Sequence, residues 1–389
     1  MKVAVLTFAR TNNYGATLQC YALCKYIENL GHQVDIINVP LIKPGGPRPK
    51  PFLEKVQNKI DRICHRIIPK KELDFTIRYP RTPEQLAQDK AYDYENMLLF
   101  DEFRKKYFCN LTREYITEDD FRKDYPDADL YVVGSDQVWN LWVTNVQYPL
   151  FFFSFVKPEK KCISYAACMG GNTKFHFEKD EICTIQNLLK KFNGIAVRDL
   201  TGVSILKNKF NIDALQVLDP TFLPGVNIYD PILSDSEIDA KGCLFNFKFI
   251  INDSWVQVIR YIAEKKHLKI RMDTCLIPIE GLDFRPKCSV SDWLRLIKTS
   301  DFVFTDSFHG MVFCILFKKN FIVTPSYKGG EERYMDLAKK FGLEDRVYFT
   351  PNDIISNTDV WMKPIDYDKV FQKVELWRQK SRNYINKYL

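Results

Sequence analysis

Histidine is scarce in this chain, with five in 389 residues, and the five lie too far apart to suggest a metal cluster by spacing. The eleven cysteines are odd in number and scattered singly. Cys20 and Cys24 stand at helical i,i+4 spacing, but no second pair completes a metal site. Cys162, Cys243 and Cys314 fall inside apolar patterns and read as small core hydrophobes. The longest aromatic run, Tyr148 to Val156, is far too short to cross a bilayer. The start, Met1-Lys2-Val3-Ala4-Val5-Leu6-Thr7, is a strand pattern without the layout of a signal peptide. No solenoid-type repeat and no low-complexity tract occurs. The expectation is a protein of the reducing cytoplasm.

What is present fits a globular chain: 46% hydrophobic and 27% charged residues. At 389 residues it is long for one core, so two domains are expected. The net charge of +7 reads first as a solvated basic surface and second as attraction to small anions or an anionic membrane face. No dense basic stripe accompanies it, so nucleic acid is not expected as a partner.

A βαβ rhythm opens the chain: strand Val3–Thr7, polar loop Arg10–Gly15, helix Ala16–Leu30, strand Gln33–Asn38. The loop has one glycine and is not the dinucleotide fingerprint. Residues 41–95 break the rhythm with a turn-rich linker, Pro44 to Pro51, and a basic amphipathic stretch, Lys55 to Lys71. They read as an inserted lid or partner surface, which allows peripheral contact with a membrane. Helical spacing resumes over Phe100–Phe108. Buried strands follow at Asp129–Val133 and Lys161–Ala166, then at Gly194–Val197, Leu215–Leu218, Gly242–Phe247, Leu268–Met272, Phe302–Thr305 and Phe321–Val323. The tail Asp366–Leu389 is spaced as a final helix packing back across both units. The fold class is α/β, with two doubly wound Rossmann-like domains facing across a cleft. The expected units are residues 1–180, 181–365 and the terminal helix 366–389.

Chemistry is expected where parallel strands end. His309 follows the strand Phe302–Thr305 in a polar turn with Thr305, Asp306 and Ser307, where an imidazole can exchange protons. It reads equally as a hydrogen-bonded core histidine. Asp136 follows Gly134 and Ser135 past the strand ending at Val133; it reads as an acceptor-side base or as a group that satisfies its own turn. Arg198 follows Ile195-Ala196-Val197, and its planar fork suits a carboxylate or phosphate. The plainer reading is an ion pair with Asp199 or Asp219. Arg333 is a further candidate anion ligand, with a surface salt bridge as the alternative.

Several ordered segments together carry a resemblance. They are Asn13-Tyr14-Gly15-Ala16-Thr17-Leu18-Gln19, Val133-Gly134-Ser135-Asp136-Gln137-Val138-Trp139-Asn140, Ser164-Tyr165-Ala166-Ala167, Val197-Arg198-Asp199, Leu218-Asp219-Pro220-Thr221 and Thr305-Asp306-Ser307-Phe308-His309-Gly310. The chain thereby resembles the polysaccharide pyruvyl transferase family, from about Asn13 to Pro325. The resemblance implies a two-domain, GT-B-like fold. It also implies transfer of pyruvate from phosphoenolpyruvate onto a saccharide, free or lipid-linked, as a ketal. Family roles fall on Arg198 as donor ligand, His309 as acid/base and Asp136 on the acceptor side. Asn13, Gly15, Ser135, Ser307, Gly310 and Arg333 complete the expected substrate-binding set. No cofactor or metal is expected, phosphoenolpyruvate being the donor substrate. Ser307 departs from the family pattern, because many members carry an arginine there; Arg333 or Lys328 is expected to substitute. Two rival readings share the architecture: a nucleotide-sugar-dependent glycosyltransferase, and a non-catalytic carbohydrate-binding or assembly protein.

Overall fold

The computed structural model describes residues 1–42, 83–108, 110–170, 177–248, 253–273, 283–285, 288–325 and 330–389. The basic stretch Lys55–Lys71 and Lys328 lie outside the described residues. The first sheet holds β1 (Lys2–Leu6), β2 (Gln33–Asn38), β3 (Asn110–Glu114), β4 (Leu130–Val133), β5 (Lys161–Ala167), β6 (Gly194–Val197) and β7 (Leu215–Gln216). Its order is β3-β2-β1-β4-β5-β6-β7, with every pair parallel. The second holds β8 (Cys243–Phe247), β9 (Lys269–Asp273), β10 (Asp283–Arg285), β11 (Phe302–Thr305) and β12 (Asn320–Val323). Its order is β10-β9-β8-β11-β12, again all parallel.

Central strands of such sheets are covered by helices on both faces, so their sequences are apolar throughout rather than alternating. In β4, Leu130, Tyr131, Val132 and Val133 are all fully buried. Leu130 and Val132 join the layer containing Leu23 and Ile27 of the helix Tyr14–Asn29, while Tyr131 and Val133 face the layer of Trp139 and Phe153. Each such side chain contributes roughly 1.5–3 kcal/mol of burial. Strand order reverses between β1 and β4 in one sheet and between β8 and β11 in the other, and the loops leaving those strand ends are where an open α/β sheet binds ligands.

The helix Tyr367–Asn386 ties the lobes together. Val370 and Val374 pack into the second lobe, and Tyr384 and Ile385 into the first. Tyr384 Oη donates to the Ser164 carbonyl at 2.9 Å, and the Leu218 N–H donates to Ser381 Oγ at 2.9 Å. The expected return of the tail across both units is present.

Two boundaries move. β6 pairs with β5 through Ile163↔Gly194 and Ser164↔Ile195, and β7 pairs with β6. The first sheet therefore runs to residue 216, and the division expected at residue 180 falls inside it. The strand–helix alternation is the same on both sides of that point, so local pattern does not say which sheet a strand joins. The helix Pro83–Tyr107 is continuous through residue 95, where the insertion was expected to end. No described helix is long and apolar enough to cross a membrane.

Candidate active site

The chain leaving β7 turns sharply at Asp219, where Pro220 opens a short 3₁₀ turn, Pro220–Phe222. Asp219 Oδ1 accepts from the Thr221 N–H at 3.1 Å and from Thr221 Oγ1 at 2.8 Å, which fixes the carboxylate plane. Its other oxygen, Oδ2, gathers three groups: Arg198 Nη1 at 2.9 Å, Ser135 Oγ at 3.2 Å and His309 Nε2 at 3.3 Å. The carboxylate is 1% exposed. Burial alone favours the neutral acid, but His309, Arg198 and the Thr221 N–H outweigh it and hold this carboxyl well below the usual range.

Arg198 stands at the end of β6, its N–H held by the Ala167 carbonyl at 3.1 Å. The guanidinium is 3% exposed and lies with Cζ 4.4 Å from the Phe308 ring centroid. Burial opposes its charge but is outweighed by its anionic surroundings, chiefly the carboxylates of Asp219, Asp136 and Asp199, so its pKa is raised. Nε and Nη2 are buried without a hydrogen-bond partner; Asp136 Oδ1 stands 3.6 Å from Nη2, an ion pair beyond hydrogen-bond reach. These two nitrogens form one edge of the planar fork, the edge that grips a carboxylate or phosphate through two parallel bonds. Each buried donor left unmade costs about 1–3 kcal/mol. An incoming anion relieves that cost.

His309 is the second residue of the helix Phe308–Leu316, whose N-cap is Ser307, with Oγ accepting from the Gly310 N–H at 3.2 Å. The imidazole reaches across to the first lobe and lies on Gly15, in the first turn of the helix Tyr14–Asn29. A methyl group built on Gly15 would stand 2.1 Å from His309 Nδ1, so only glycine leaves room for the ring. A carboxylate only accepts, so the hydrogen on Nε2 faces Asp219 and Nδ1 is left for proton exchange.

Asp136 follows Gly134, whose φ is +119° and whose missing side chain would stand 2.1 Å from the Tyr165 carbonyl oxygen. Asp136 itself has φ +70°, a left-handed conformation that aspartate tolerates better than most residues. Its Oδ1 accepts from the Gln137 N–H at 2.9 Å, and at 14% exposure it is more open than the Asp219 carboxylate at 1%. Ser135 is anchored by its N–H to Gln19 Oε1 at 3.1 Å.

The structure thus brings Arg198, His309, Asp136, Ser135 and Gly15 to one place at the C-terminal strand ends. Asn13 is exposed and caps the first helix, accepting from the Ala16 N–H at 3.1 Å. Gly310 packs against Phe247 Cζ and Thr305 Oγ1, where a side chain would stand 2.4 and 2.8 Å from them. Arg333 is half-buried, with Cζ 5.8 Å from the same Phe308 ring. The ion pair of Arg198 with Asp219 is present, whereas Asp199 caps the next helix, accepting from the Gly202 N–H at 2.8 Å.

The sequence reading missed the hub. Asp219 entered as an ion-pair partner for Arg198 and within the segment Leu218–Thr221, but not as a site residue, although an aspartate ending an apolar strand directly before proline is a signal for a fixed carboxylate. It also missed Lys248, buried at the end of β8, with Nζ 3.0 Å from Thr324 Oγ1 and 3.6 Å from Asp306 Oδ2. Burial lowers the pKa of Lys248, with Asp306 opposing. A buried guanidinium edge, an imidazole and an open carboxylate within one cluster suit group transfer from an anionic donor.

Among solved structures, the chain is similar to a putative UDP-N-acetylglucosamine 2-epimerase from Listeria monocytogenes at 12% identity and TM-score 0.50, over 96% of this chain and 91% of that one. It is also similar to the S. aureus MnaA–UDP co-structure at 12% identity and TM-score 0.49, over 100% and 96%. The first likeness supports the fold alone: two facing α/β lobes of GT-B type. No curated protein matches. The profile described as polysaccharide pyruvyl transferase matches residues 13–326, a span that contains β2 to β12 and every group on the Asp219 carboxylate. The chain therefore belongs to the polysaccharide pyruvyl transferase family of transferases.

Proposed function

We propose that this transferase takes pyruvate from phosphoenolpyruvate and places it as a ketal on two hydroxyls of a saccharide, a polysaccharide or its precursor. The observation that carries the reading is the Nε–Nη2 edge of buried Arg198, which makes no hydrogen bond and is set beside His309 on the shared Asp219 carboxylate. Such an edge suits the carboxylate or phosphate of the donor.

In this scheme His309 delivers a proton to the vinyl carbon of phosphoenolpyruvate, which makes C2 cation-like. One sugar hydroxyl adds at C2, the C2–O bond to phosphate breaks, and the second hydroxyl closes the ketal. Two hydroxyl protons are lost; one restores the acid that protonated the vinyl carbon and the other leaves with phosphate. Asp136 accepts the proton of the attacking hydroxyl, and Arg198 steadies the charge of the donor. The scheme uses side chains alone, with no cofactor or metal.

The test is phosphate release from phosphoenolpyruvate with candidate acceptor glycans, with mass spectrometry of the product. His309→Ala should lower turnover about 10²–10⁴-fold, the range of general acid–base catalysis. Wild-type protein that releases no phosphate with any acceptor, or a His309→Ala protein that works as well as wild type, sinks the assignment. Thermal stabilisation by a nucleotide sugar, and not by phosphoenolpyruvate, would instead point to glycosyl transfer.

A further inference from the structure

We infer that Arg333 supplies a second guanidinium to the anion site, so that the site selects a small molecule with two anionic groups and holds one with each arginine. The inference rests on the reading of Arg198 as a donor ligand.

Both guanidiniums converge on one aromatic ring: Cζ of Arg198 lies 4.4 Å and Cζ of Arg333 5.8 Å from the Phe308 centroid. Arg333 sits in the first turn of the helix Glu331–Phe341, and its neighbour Tyr334 fixes that turn. Tyr334 Oη donates to the Asp306 carbonyl at 2.8 Å, and its ring meets Phe308 edge-on at 5.8 Å. The segment carrying Arg333 is therefore tied directly to the turn that carries His309.

Arg333 Nε is buried without a hydrogen-bond partner, and Arg333 makes no ion pair among the described residues. Cys168, on the facing loop after β5, is within electrostatic reach of both arginines. It cannot neutralise them, because burial pushes its thiol up to about 12 and keeps it protonated at neutral pH. Ser307 is already occupied as the helix cap. Three N–H-bearing nitrogens of the two guanidiniums, Nε and Nη2 of Arg198 and Nε of Arg333, are buried without an acceptor. One anionic group satisfies the Nε–Nη2 edge of Arg198, and a second is needed for Arg333. A molecule with a carboxylate and a phosphate on adjacent atoms has that form.

Direct binding of three probes tests this: phosphoenolpyruvate, inorganic phosphate and pyruvate, titrated into wild type, Arg333→Ala, Arg333→Lys and Arg198→Ala. Arg333→Ala should weaken phosphoenolpyruvate at least tenfold. It should also weaken one single-group anion while leaving the other within twofold. Arg198→Ala should show the complementary pattern, and Arg333→Lys, which keeps charge but loses the fork, should fall between wild type and Arg333→Ala. Should the alanine variant fail to fold, the lysine variant decides, with at least a threefold loss for phosphoenolpyruvate expected. Phosphoenolpyruvate affinity within twofold in folded Arg333 variants, with loss in Arg198→Ala, overturns the role of Arg333 and leaves that of Arg198. Equal weakening of all three probes by Arg333→Ala overturns the two-group assignment. Absence of phosphoenolpyruvate binding by wild type overturns both readings.

Discussion

Replacing Asp219 by asparagine isolates the electrostatic centre of the cluster with almost no change of volume. The carboxylate serves Thr221 through Oδ1, and Arg198, Ser135 and His309 through Oδ2. A carboxamide has one acceptor oxygen. If it faces Thr221, its NH₂ opposes the donors of Arg198 and His309; if it is flipped, the Thr221 donors go unmet. Either orientation leaves the buried Arg198 charge without its nearest counter-charge, since Asp136 stands off at 3.6 Å. Removing one partner of a buried pair costs about 3–5 kcal/mol, and that is the expected loss for Asp219→Asn at pH 7. The pH dependence sharpens the test. The folded-state pKa of Asp219 is depressed, so its contribution is fully present above the ordinary aspartate value of about 3.9 and is lost as pH falls toward the folded value. The gap between wild type and variant should shrink below about pH 4. Urea unfolding followed by tryptophan fluorescence measures it, with a second probe to confirm that the transition is cooperative. A loss under about 1 kcal/mol, or a gap that does not shrink on acidification, refutes the reasoning.

Other outcomes follow from the same geometry. Gly15→Ala suits a helix by propensity, yet its methyl would stand 2.1 Å from His309 Nδ1. It should cost about 1–3 kcal/mol of stability through overpacking and should depress turnover as His309→Ala does. Wild-type turnover in Gly15→Ala would show that the ring does not need this seat. Ser307→Ala should lose about 1 kcal/mol through the missing N-cap while the KM for phosphoenolpyruvate stays within twofold. A tenfold rise in KM would return Ser307 to the donor site.

The strands that carry the site were legible because they are short, apolar and bounded by polar turns: the expected Val3–Thr7, Asp129–Val133, Gly194–Val197 and Phe302–Thr305 match β1, β4, β6 and β11 to within a residue at each end. β3 left no such mark, because Asn110-Leu111-Thr112-Arg113-Glu114 is a half-exposed edge strand held by its pairing with β2. Asp219 was visible as a residue but not as a hub. Its partners Arg198 and His309 lie 21 and 90 positions away in sequence, and nothing periodic links such distances. The amino-acid sequence by itself determined which residue types stand at which strand ends, because side-chain periodicity and turn chemistry act within a few neighbours. Only the tertiary structure decided that the ends of β4, β6, β7 and β11 meet on one carboxylate, and that β6 and β7 join the first sheet. Sheet membership depends on pairing between distant segments, which no local pattern encodes.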